Sequence, residues 1–419
     1  MQAVRRLMCI CVTGMIFCLN PATAAGPKKP GDQWHWVAAW GSAQMVPGPE
    51  NELPAGHWRD SSLRQIVHTS LGGKRLRVRI SNAFGTEPLE LQGASIARAV
   101  ALGQAEVKDS KRLSFGGRDS VMIPAGAEYY SDAVDFEQKA GSDLAVTLYF
   151  RDAPGRQTSH PGSRATSFVA KGDRVLDAAW PDAAKVVHWY ALSDIEVQAP
   201  RGQKAVSVIG DSITDGYGVT TDTSTRWPDF LAERLARAGQ PMGVVNAGIG
   251  GGRMLRDGLG FNLAARFERD VIGRAGVSHA IVLIGVNDFG TQRRDGKDTP
   301  EARAKLLEDL KIAHRQLVER AHLHGICVIG GTLTPYSGSD YYKPGPANEM
   351  DRLQLNEWIR HSGVFDAVAD FDAALRDPAR PDHMRKEVDL DGLHPSDAGY
   401  RALAEAVPLK ALRQCGVAQ

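Results

Sequence analysis

The sequence predicts an all-β sandwich over residues 31–198, followed by a three-layer α/β/α domain over residues 203–419. Three observations predict this arrangement. The first part alternates apolar and polar residues with a period of two, the second part alternates apolar runs with amphipathic helices, and the polar segment 198–204 separates them. A chain of 419 residues is also longer than one core usually supports.

The period-two pattern is clearest in two segments of the first part. Leu76, Val78 and Ile80 alternate with three arginines in 75–80, and apolar residues also alternate through 146–150. Clusters of Gly, Pro, Asn and Asp, such as 82–88, interrupt these runs. Short antiparallel strands that bury one face have this pattern, and two such sheets pack as a sandwich.

In the second part, five apolar runs predict strands, with helices between them. The runs are 205–209, 244–245, 279–284, 326–329 and 365–371. A helix is predicted over 227–238, with Pro228 near its start and Gly239 after its end, and another over 300–324 with Gly325 as its stop. Strands that alternate with helices predict a parallel sheet covered by helices on both faces.

Residues 1–25 have the features of a signal peptide. Two arginines precede a short apolar run, and small residues follow it at the spacing of a cleavage site. We therefore expect a secreted or periplasmic protein with no integral membrane association. The formal net charge of +1 gives no reason to expect a nucleic-acid partner. Outside the leader, Cys327 and Cys415 are the remaining cysteines, and the sequence leaves their pairing open.

Reactive side chains follow the predicted strands. In open parallel sheets, binding sites form beyond the carboxyl ends of the strands. The segments there are Gly210-Asp211-Ser212, the glycine-rich stretch 246–252, 285–288 and, before the last helix, 391–395. Together they supply a hydroxyl, glycine amides, a carboxamide, a carboxylate and an imidazole. These are the groups needed for acyl transfer through a serine nucleophile.

These segments resemble the conserved blocks of the SGNH/GDSL hydrolase superfamily. Segment 210–213 is similar to its first block, Gly251 to its second, 285–288 to its third and 391–394 to its fifth. The resemblance covers about the last half of the chain and implies a flavodoxin-like fold. The segment 36–41 also resembles the β-rich domain of a secreted bacterial branch of the superfamily.

The resemblance implies roles for individual residues. Ser212 would be the nucleophile, His394 the base that takes its proton, and Asp391 the group that orients the imidazole. The oxyanion hole would consist of the backbone amides of Ser212 and Gly251 and the side-chain amide of Asn287. A glycine allows a backbone donor to approach the substrate closely, and Gly250 is the neighbouring alternative.

Other features near these blocks are given supporting roles. Asp211, Asp215 and Asp288 are expected to organise loops by hydrogen bonds. The segment 335–346, rich in aromatic residues, Gly and Pro, is either a substrate-covering loop or an ordinary long loop. The chemistry requires no metal or cofactor.

The predicted function is a secreted serine carboxylic-ester hydrolase that acts by Ser-His-Asp acyl transfer on short acyl (acetyl) esters of extracellular carbohydrate. Its partner would be a small-molecule or polysaccharide ester. One alternative is a lipolytic esterase or lysophospholipase of the same superfamily. The other is a carbohydrate-binding protein with an inactive hydrolase domain.

Overall fold

The computed structural model describes residues 34–417, so the predicted signal peptide lies outside the described residues. Antiparallel strands dominate the first half of the described chain, with a short helix α1 (Ala55–Trp58) after β1. The strands are β1 (Trp34–Gly41), β2 (Ser61–Thr69), β3 (Gly73–Ser81), β4 (Leu89–Ala99), β5 (Val107–Leu113), β6 (Val121–Ile123), β7 (Glu128–Tyr130), β8 (Val134–Gln138), β9 (Ser142–Phe150), β10 (Ser159–His160), β11 (Ser167–Lys171), β12 (Ala184–Val186), β13 (Trp189–Tyr190) and β14 (Leu192–Pro200).

These strands form two larger antiparallel sheets. The five-stranded sheet has the order β1-β14-β3-β7, with β8 also paired to β3, and the seven-stranded sheet has the order β12-β11-β2-β9-β4-β5, with β6 paired to β4. Leu76 and Val78 of the first sheet and Val146 and Leu148 of the second lie in the same buried hydrophobic cluster. The alternation in the sequence therefore identifies the core-facing side of both sheets.

The opposite face of β3 carries the arginines of the alternating pattern, and part of it is also buried. Arg77 pairs with Glu196 at 2.6 Å and Arg79 pairs with Asp194 at 2.5 Å, both on the neighbouring strand β14. The glutamate and aspartate side chains are fully buried. The polar side chains of this alternating pattern therefore form a partly buried layer of ion pairs rather than a solvated face.

The second half contains a five-stranded parallel sheet. Its strands are β15 (Ala205–Gly210), β16 (Gly243–Gly248), β17 (Val277–Leu283), β18 (Cys327–Gly331) and β19 (Ala367–Ala369). The order is β16-β15-β17-β18-β19, and every adjacent pair is parallel. With the strands numbered from β15, this is the order of flavodoxin-like sheets. Each predicted strand is present at the expected place.

Helices connect these strands or follow the last of them. They are α2 (Ser212–Asp215), α3 (Trp227–Arg237), α4 (Leu263–Phe267), α5 (Val286–Arg294), α6 (Pro300–His322), α7 (Pro346–His361), α8 (Phe371–Leu375) and α9 (Asp397–Ala406). Right-handed crossovers place α3 on one face of the sheet and α4 to α7 on the other. Trp227, Leu231 and Leu235 of α3 are buried. None of the helices within residues 34–417 is long and apolar enough to cross a lipid bilayer.

The two halves pack directly on each other. β14 ends at Pro200 and β15 begins at Ala205, so the chain changes from one sheet type to the other within the predicted linker. Ser42, directly after β1, bridges to Asn246 of β16. A disulfide joins Cys327 to Cys415 and ties the segment after α9 to the start of β18. This answers the pairing question that the sequence left open.

A chain of alternating charges crosses the boundary between the halves. Asp194 accepts from Arg79 and, at 2.5 Å, from Arg274. Arg274 also lies 3.5 Å from Asp270, which pairs with Arg266 at 2.9 Å. The side chains of Asp194, Arg274 and Asp270 are fully buried. Buried charges are tolerated only when they are paired, so each member depends on its neighbours.

Replacement of the central arginine tests this dependence. We expect Arg274→Met to lower the free energy of unfolding by about 3–5 kcal/mol, because two buried carboxylates lose a partner. Lys305, which forms an exposed pair with Asp309, is the matched control, and Lys305→Met should cost less than about 1 kcal/mol. Urea denaturation of both variants gives the comparison. Equal losses of stability would contradict the assigned importance of the buried chain.

Candidate active site

The first reactive segment follows β15 without a gap, and α2 begins at Ser212. Asp211 is the N-cap of α2, and its side chain accepts from the backbone N–H of Ile213 at 3.0 Å. Gly216 ends this short helix in the left-handed conformation, with φ of 94°. The strand therefore stops on Gly, Asp and Ser because a cap and a tight helical turn place Ser212 at the sheet edge.

Arg266 holds the two strand ends at this edge of the sheet. It donates to the backbone carbonyls of Gly210, at 2.8 Å, and Ala247, at 2.6 Å. These carbonyls lie at the carboxyl ends of β15 and β16. The buried charge chain therefore ends on the two strand ends that carry the first two reactive segments.

Ser212, His394 and Asp391 form a continuous hydrogen-bonded series. Ser212 Oγ lies 2.9 Å from His394 Nε2, and His394 Nδ1 lies 2.9 Å from Asp391 Oδ2. Asp391 Oδ1 also accepts from the backbone N–H groups of His394 and Leu393, at 2.8 and 3.1 Å. Because a carboxylate only accepts, Nδ1 carries the proton and Nε2 is free to accept from the serine hydroxyl.

The structure distinguishes between the two glycines proposed for the oxyanion hole. The N–H of Gly250 donates to Asp215 Oδ2 at 3.1 Å. The N–H of Gly251 has no hydrogen-bond partner among residues 34–417 and borders the same cleft as Ser212. Gly251 has φ of +67°, and a Cβ there would lie 3.3 Å from Leu259. The geometry favours Gly251 over Gly250 as the donor.

Asn287 lies near the start of α5, and both the nitrogen and the oxygen of its carboxamide are hydrogen-bonded. Its Nδ2 donates to the carbonyl of Gly252 at 2.8 Å, and its Oδ1 accepts from the Tyr342 hydroxyl at 2.7 Å. A carboxamide nitrogen has two hydrogens, so one remains for a ligand in the cleft. The Tyr342 bond fixes which end of the amide faces the glycine loop.

The three neighbouring aspartates organise loops, as the sequence analysis predicted. Asp211 accepts from the N–H of Ile213, Asp215 from that of Gly250, and Asp288 from those of Met254 and Leu255. Burial raises the pKa of Asp211 to about 7 and that of Asp288 to about 6. Each of the three side chains thus accepts from at least one backbone amide.

A cleft of about 580 Å³ contains Ser212, His394, Gly251 and Asn287 in its lining. Its outer walls combine aromatic, apolar and cationic side chains, namely Tyr217, Tyr341, Leu259, Leu393, Arg253 and Arg294. Segment 335–346 contributes Ser339, Tyr341 and Tyr342 to these walls. The segment thus borders the cleft, which favours the substrate-covering interpretation over that of an ordinary loop.

Three residues at the site were not identified from the sequence. The ring of Tyr217 packs on His394 with centroids 4.1 Å apart, the guanidinium of Arg164 lies 5.5 Å from the Tyr217 ring, and Tyr342 holds Asn287. Tyr217 follows the serine segment directly, and Tyr342 lies in the aromatic loop, so both had a local signal. Arg164 comes from the β-rich half and had none.

The environment of the His–Asp pair sets its protonation. Burial lowers the pKa of His394 below its ordinary value, and nearby Arg164 lowers it further, although the Asp391 carboxylate opposes both effects. Burial alone would raise the pKa of Asp391, but hydrogen bonds from the backbone and ring of His394 outweigh it, and the pKa is lowered. At neutral pH the imidazole is therefore uncharged beside an ionised carboxylate.

Comparison with known families fits this geometry. Residues 208–402 match the model of the GDSL-like lipase/acylhydrolase family. Residues 208–402 therefore form a GDSL-like lipase/acylhydrolase domain. The resemblance stated from the sequence is confirmed for these residues, and the chain is an enzyme of the esterase/lipase type. A search of curated protein sequences finds no significant match.

Several solved structures are similar to the GDSL-like domain. A protein from Desulfitobacterium hafniense assigned to the lipolytic G-D-S-L family has 22% identity and a TM-score of 0.37, covering 51% of this chain and 100% of its own. A GDSL-like lipase from Bacteroides thetaiotaomicron has 16% identity and a TM-score of 0.37, with coverages of 50% and 88%. An acetylxylan esterase from Geobacillus stearothermophilus has 22% identity and a TM-score of 0.36, with coverages of 48% and 91%.

The charge near His394 gives a pH prediction for the GDSL-like domain. Ser212 should react with a fluorophosphonate only when His394 is neutral, and its lowered pKa places the acid limb of the rate below about pH 6.5. Arg164→Gln removes a positive charge that disfavours the imidazolium, so the limb should move to higher pH. The rate of labelling is measured across acidic and neutral pH for the unmodified protein and for Arg164→Gln, which gives the acid limb of each.

The control for this measurement is Arg174→Gln, because Arg174 is a partly exposed arginine of the β-rich half that pairs with Asp177. That variant should retain the pH profile of the unmodified protein. A limb that stays in place in Arg164→Gln, or moves to lower pH, would show that Arg164 does not act on His394.

Proposed function

We propose that the chain is a serine carboxylic-ester hydrolase in which Ser212 is the nucleophile, His394 the general base and acid, and Asp391 the residue that orients it. One observation carries this proposal. The hydroxyl of Ser212 lies 2.9 Å from the proton-free nitrogen of a histidine whose other nitrogen is bound by a carboxylate. This arrangement activates a hydroxyl that is otherwise a weak nucleophile.

The proposed reaction has two stages. Ser212 Oγ attacks the ester carbonyl carbon while its proton passes to His394 Nε2. The imidazolium then gives this proton to the departing alkoxide oxygen, so the alcohol leaves and an acyl-serine remains. A water molecule, deprotonated by His394, hydrolyses the acyl-serine and restores the hydroxyl. Asp391 stabilises the imidazolium that forms in each stage.

Three hydrogen-bond donors are proposed to stabilise the negative charge that develops on the carbonyl oxygen. They are the backbone N–H groups of Ser212 and Gly251 and the remaining hydrogen of the Asn287 amide. The N–H of Ser212 lies in the first turn of α2, where the helix does not use it. Fixed donors of this kind need no reorganisation when the charge appears.

Replacement of the nucleophile tests the central assignment. Ser212→Ala should lower kcat for 4-nitrophenyl acetate by about 10⁴-fold or more, with the fold intact. Turnover is followed by release of nitrophenolate, and circular dichroism checks the fold. Near-normal turnover by the folded variant would remove Ser212 from the mechanism. No ester turnover by the unmodified protein, combined with sugar binding, would support the inactive carbohydrate-binding alternative.

The oxyanion assignment gives a graded prediction. Asn287→Ala should lower kcat by about 10²–10³-fold, because one donor is lost. Tyr342→Phe keeps the donor but loses the bond that orients it, so kcat should fall by a smaller factor, about 10-fold, with KM little changed. Steady-state kinetics on one aryl acetate measure both variants. A larger loss in Tyr342→Phe than in Asn287→Ala would contradict this order of roles.

The walls of the cleft support short acyl esters of carbohydrate as the substrate class. Tyr217 and Tyr341 present exposed rings, on which the apolar face of a sugar can stack, beside the guanidinium groups of Arg253 and Arg294. Sugar hydroxyl oxygens accept hydrogen bonds from such guanidinium groups. We therefore propose acetylated extracellular carbohydrate as the preferred substrate, in small-molecule or polysaccharide form.

A lipolytic or lysophospholipase activity is the second candidate, because Leu259 is 68% exposed at the cleft. Nitrophenyl esters of increasing acyl length and acetylated xylo-oligosaccharides, each assayed on the mature protein, separate the two functions. Highest kcat/KM for acetyl groups on sugars supports the carbohydrate ester. Values that rise with chain length to long acyl groups support the lipolytic candidate.

We also propose that the protein is secreted or periplasmic. The leader-like residues 1–25 predict export, and the Cys327–Cys415 disulfide fits an oxidising compartment.

Finally, we propose that residues 31–198 are an accessory β-sandwich domain and residues 203–419 the hydrolase domain. The shared hydrophobic core of the two antiparallel sheets supports the sandwich.

A further inference from the structure

A histidine from the β-rich half reaches the helix that begins with Ser212. His160, the last residue of β10, is buried, and its Nε2 lies 3.0 Å from Asp215 Oδ1 at the end of α2. Its Nδ1 lies 2.8 Å from the backbone carbonyl of Ala43. The ring packs on Trp189, with centroids 5.6 Å apart and planes 22° apart. Both nitrogens of His160 are thus engaged.

The two partners of His160 define its donors. A backbone carbonyl only accepts, so Nδ1 carries a hydrogen. Asp215 Oδ2 already accepts from Gly250, and its Oδ1 lies 3.0 Å from Nε2. This close contact is buried, and together with the Gly250 bond it restricts the carboxylate to one orientation.

Asp215 passes this restraint to the glycine loop. The same carboxylate that faces His160 accepts from the N–H of Gly250, and the next residue is Gly251, the proposed oxyanion donor. A Cβ on Gly162 would lie 2.0 Å from Asp215 Oδ2, so the β-rich half approaches the carboxylate as closely as a glycine permits. His160 and Gly162 together enclose the side chain that holds the loop.

We propose that His160 is a positioning residue for ester hydrolysis: through Asp215 and Gly250 it aims the Gly251 N–H at the developing oxyanion. This inference rests on the proposed function. A donor must lie close to where the oxyanion forms, and small displacements reduce its effect. The β-rich half would then contribute directly to the rate, although all the reactive groups lie in the GDSL-like domain.

A purely structural role for His160 is the competing explanation. The segment 159–166 also docks on the GDSL-like domain at two other points, where Arg226 donates to the carbonyl of Ser163 and Thr166 donates to Asp222 at 2.7 Å. If His160 were one more docking contact, its loss would change stability and leave the rate of the folded protein unchanged. The test must therefore separate its two nitrogens.

Two substitutions retain one nitrogen each. His160→Gln places an amide donor near the position of Nε2, beside Asp215, whereas His160→Asn preserves only the donor to Ala43. We expect His160→Asn to lower kcat for 4-nitrophenyl acetate by about 10–100-fold with KM within about 2-fold. His160→Gln should recover kcat to within about 5-fold of the unmodified protein. His68→Gln, which breaks another His–Asp pair of the β-rich half, should leave both constants unchanged.

The outcomes separate this inference from the proposed function. An unmodified protein without ester turnover removes the proposed function itself. With turnover present, equal kcat values for the folded Asn and Gln variants overturn the role of His160. If either variant does not fold, Asp215→Ala and Asp215→Asn replace the pair, because asparagine keeps an acceptor for Gly250 and a donor for His160 whereas alanine keeps neither. Equal kcat values for these two variants would overturn the proposal in the same way.

Discussion

The fully buried ion pair between Asp194 and Arg274 is the interaction on which the rest of the architecture depends. Asp194 belongs to the last strand of the β-rich half, and Arg274 lies between α4 and β17 of the GDSL-like domain. Each charge has a further partner within its own half, Arg79 for Asp194 and Asp270 for Arg274, but separation of the halves would break the buried pair that joins them and return its charges to water. Asp270 and Arg266 extend this pairing to the carbonyls at the carboxyl ends of β15 and β16. The position of the site is thus fixed by charges that never contact a substrate.

In the site itself, each orienting hydrogen bond leaves another atom of the same side chain available for the reaction. Asp391 occupies one nitrogen of His394, and the other nitrogen meets Ser212. Tyr342 and Gly252 occupy part of the Asn287 carboxamide, and one hydrogen remains. Because every orienting partner is already bound, the reactive atoms are held before any substrate arrives. This is the arrangement that makes electrostatic stabilisation effective, since it costs no reorganisation during the reaction.

Local sequence patterns were sufficient for much of this description. The parallel strands, the helix over α3 and the segments that carry Ser212, Asn287 and His394 were all predicted, because periodicity and strand-end motifs are local properties. The burial of Arg79 on the face opposite the core was not, since it depends on Asp194, which lies far away in the chain. The choice between Gly250 and Gly251 required the position of Asp215. His160 had no recognisable signal, because its partners come from two other regions of the chain and only the fold brings them together.

The aromatic loop 335–346 has a consequence for how such an enzyme acquires new substrates. Tyr341 borders the cleft, and its neighbour Tyr342 orients Asn287, so one loop carries both recognition and part of the proposed catalytic apparatus. A change that alters the path of this loop to admit a different alcohol or acyl group also shifts the Tyr342 hydroxyl. Mutations in this loop are therefore expected to change substrate selectivity and turnover together.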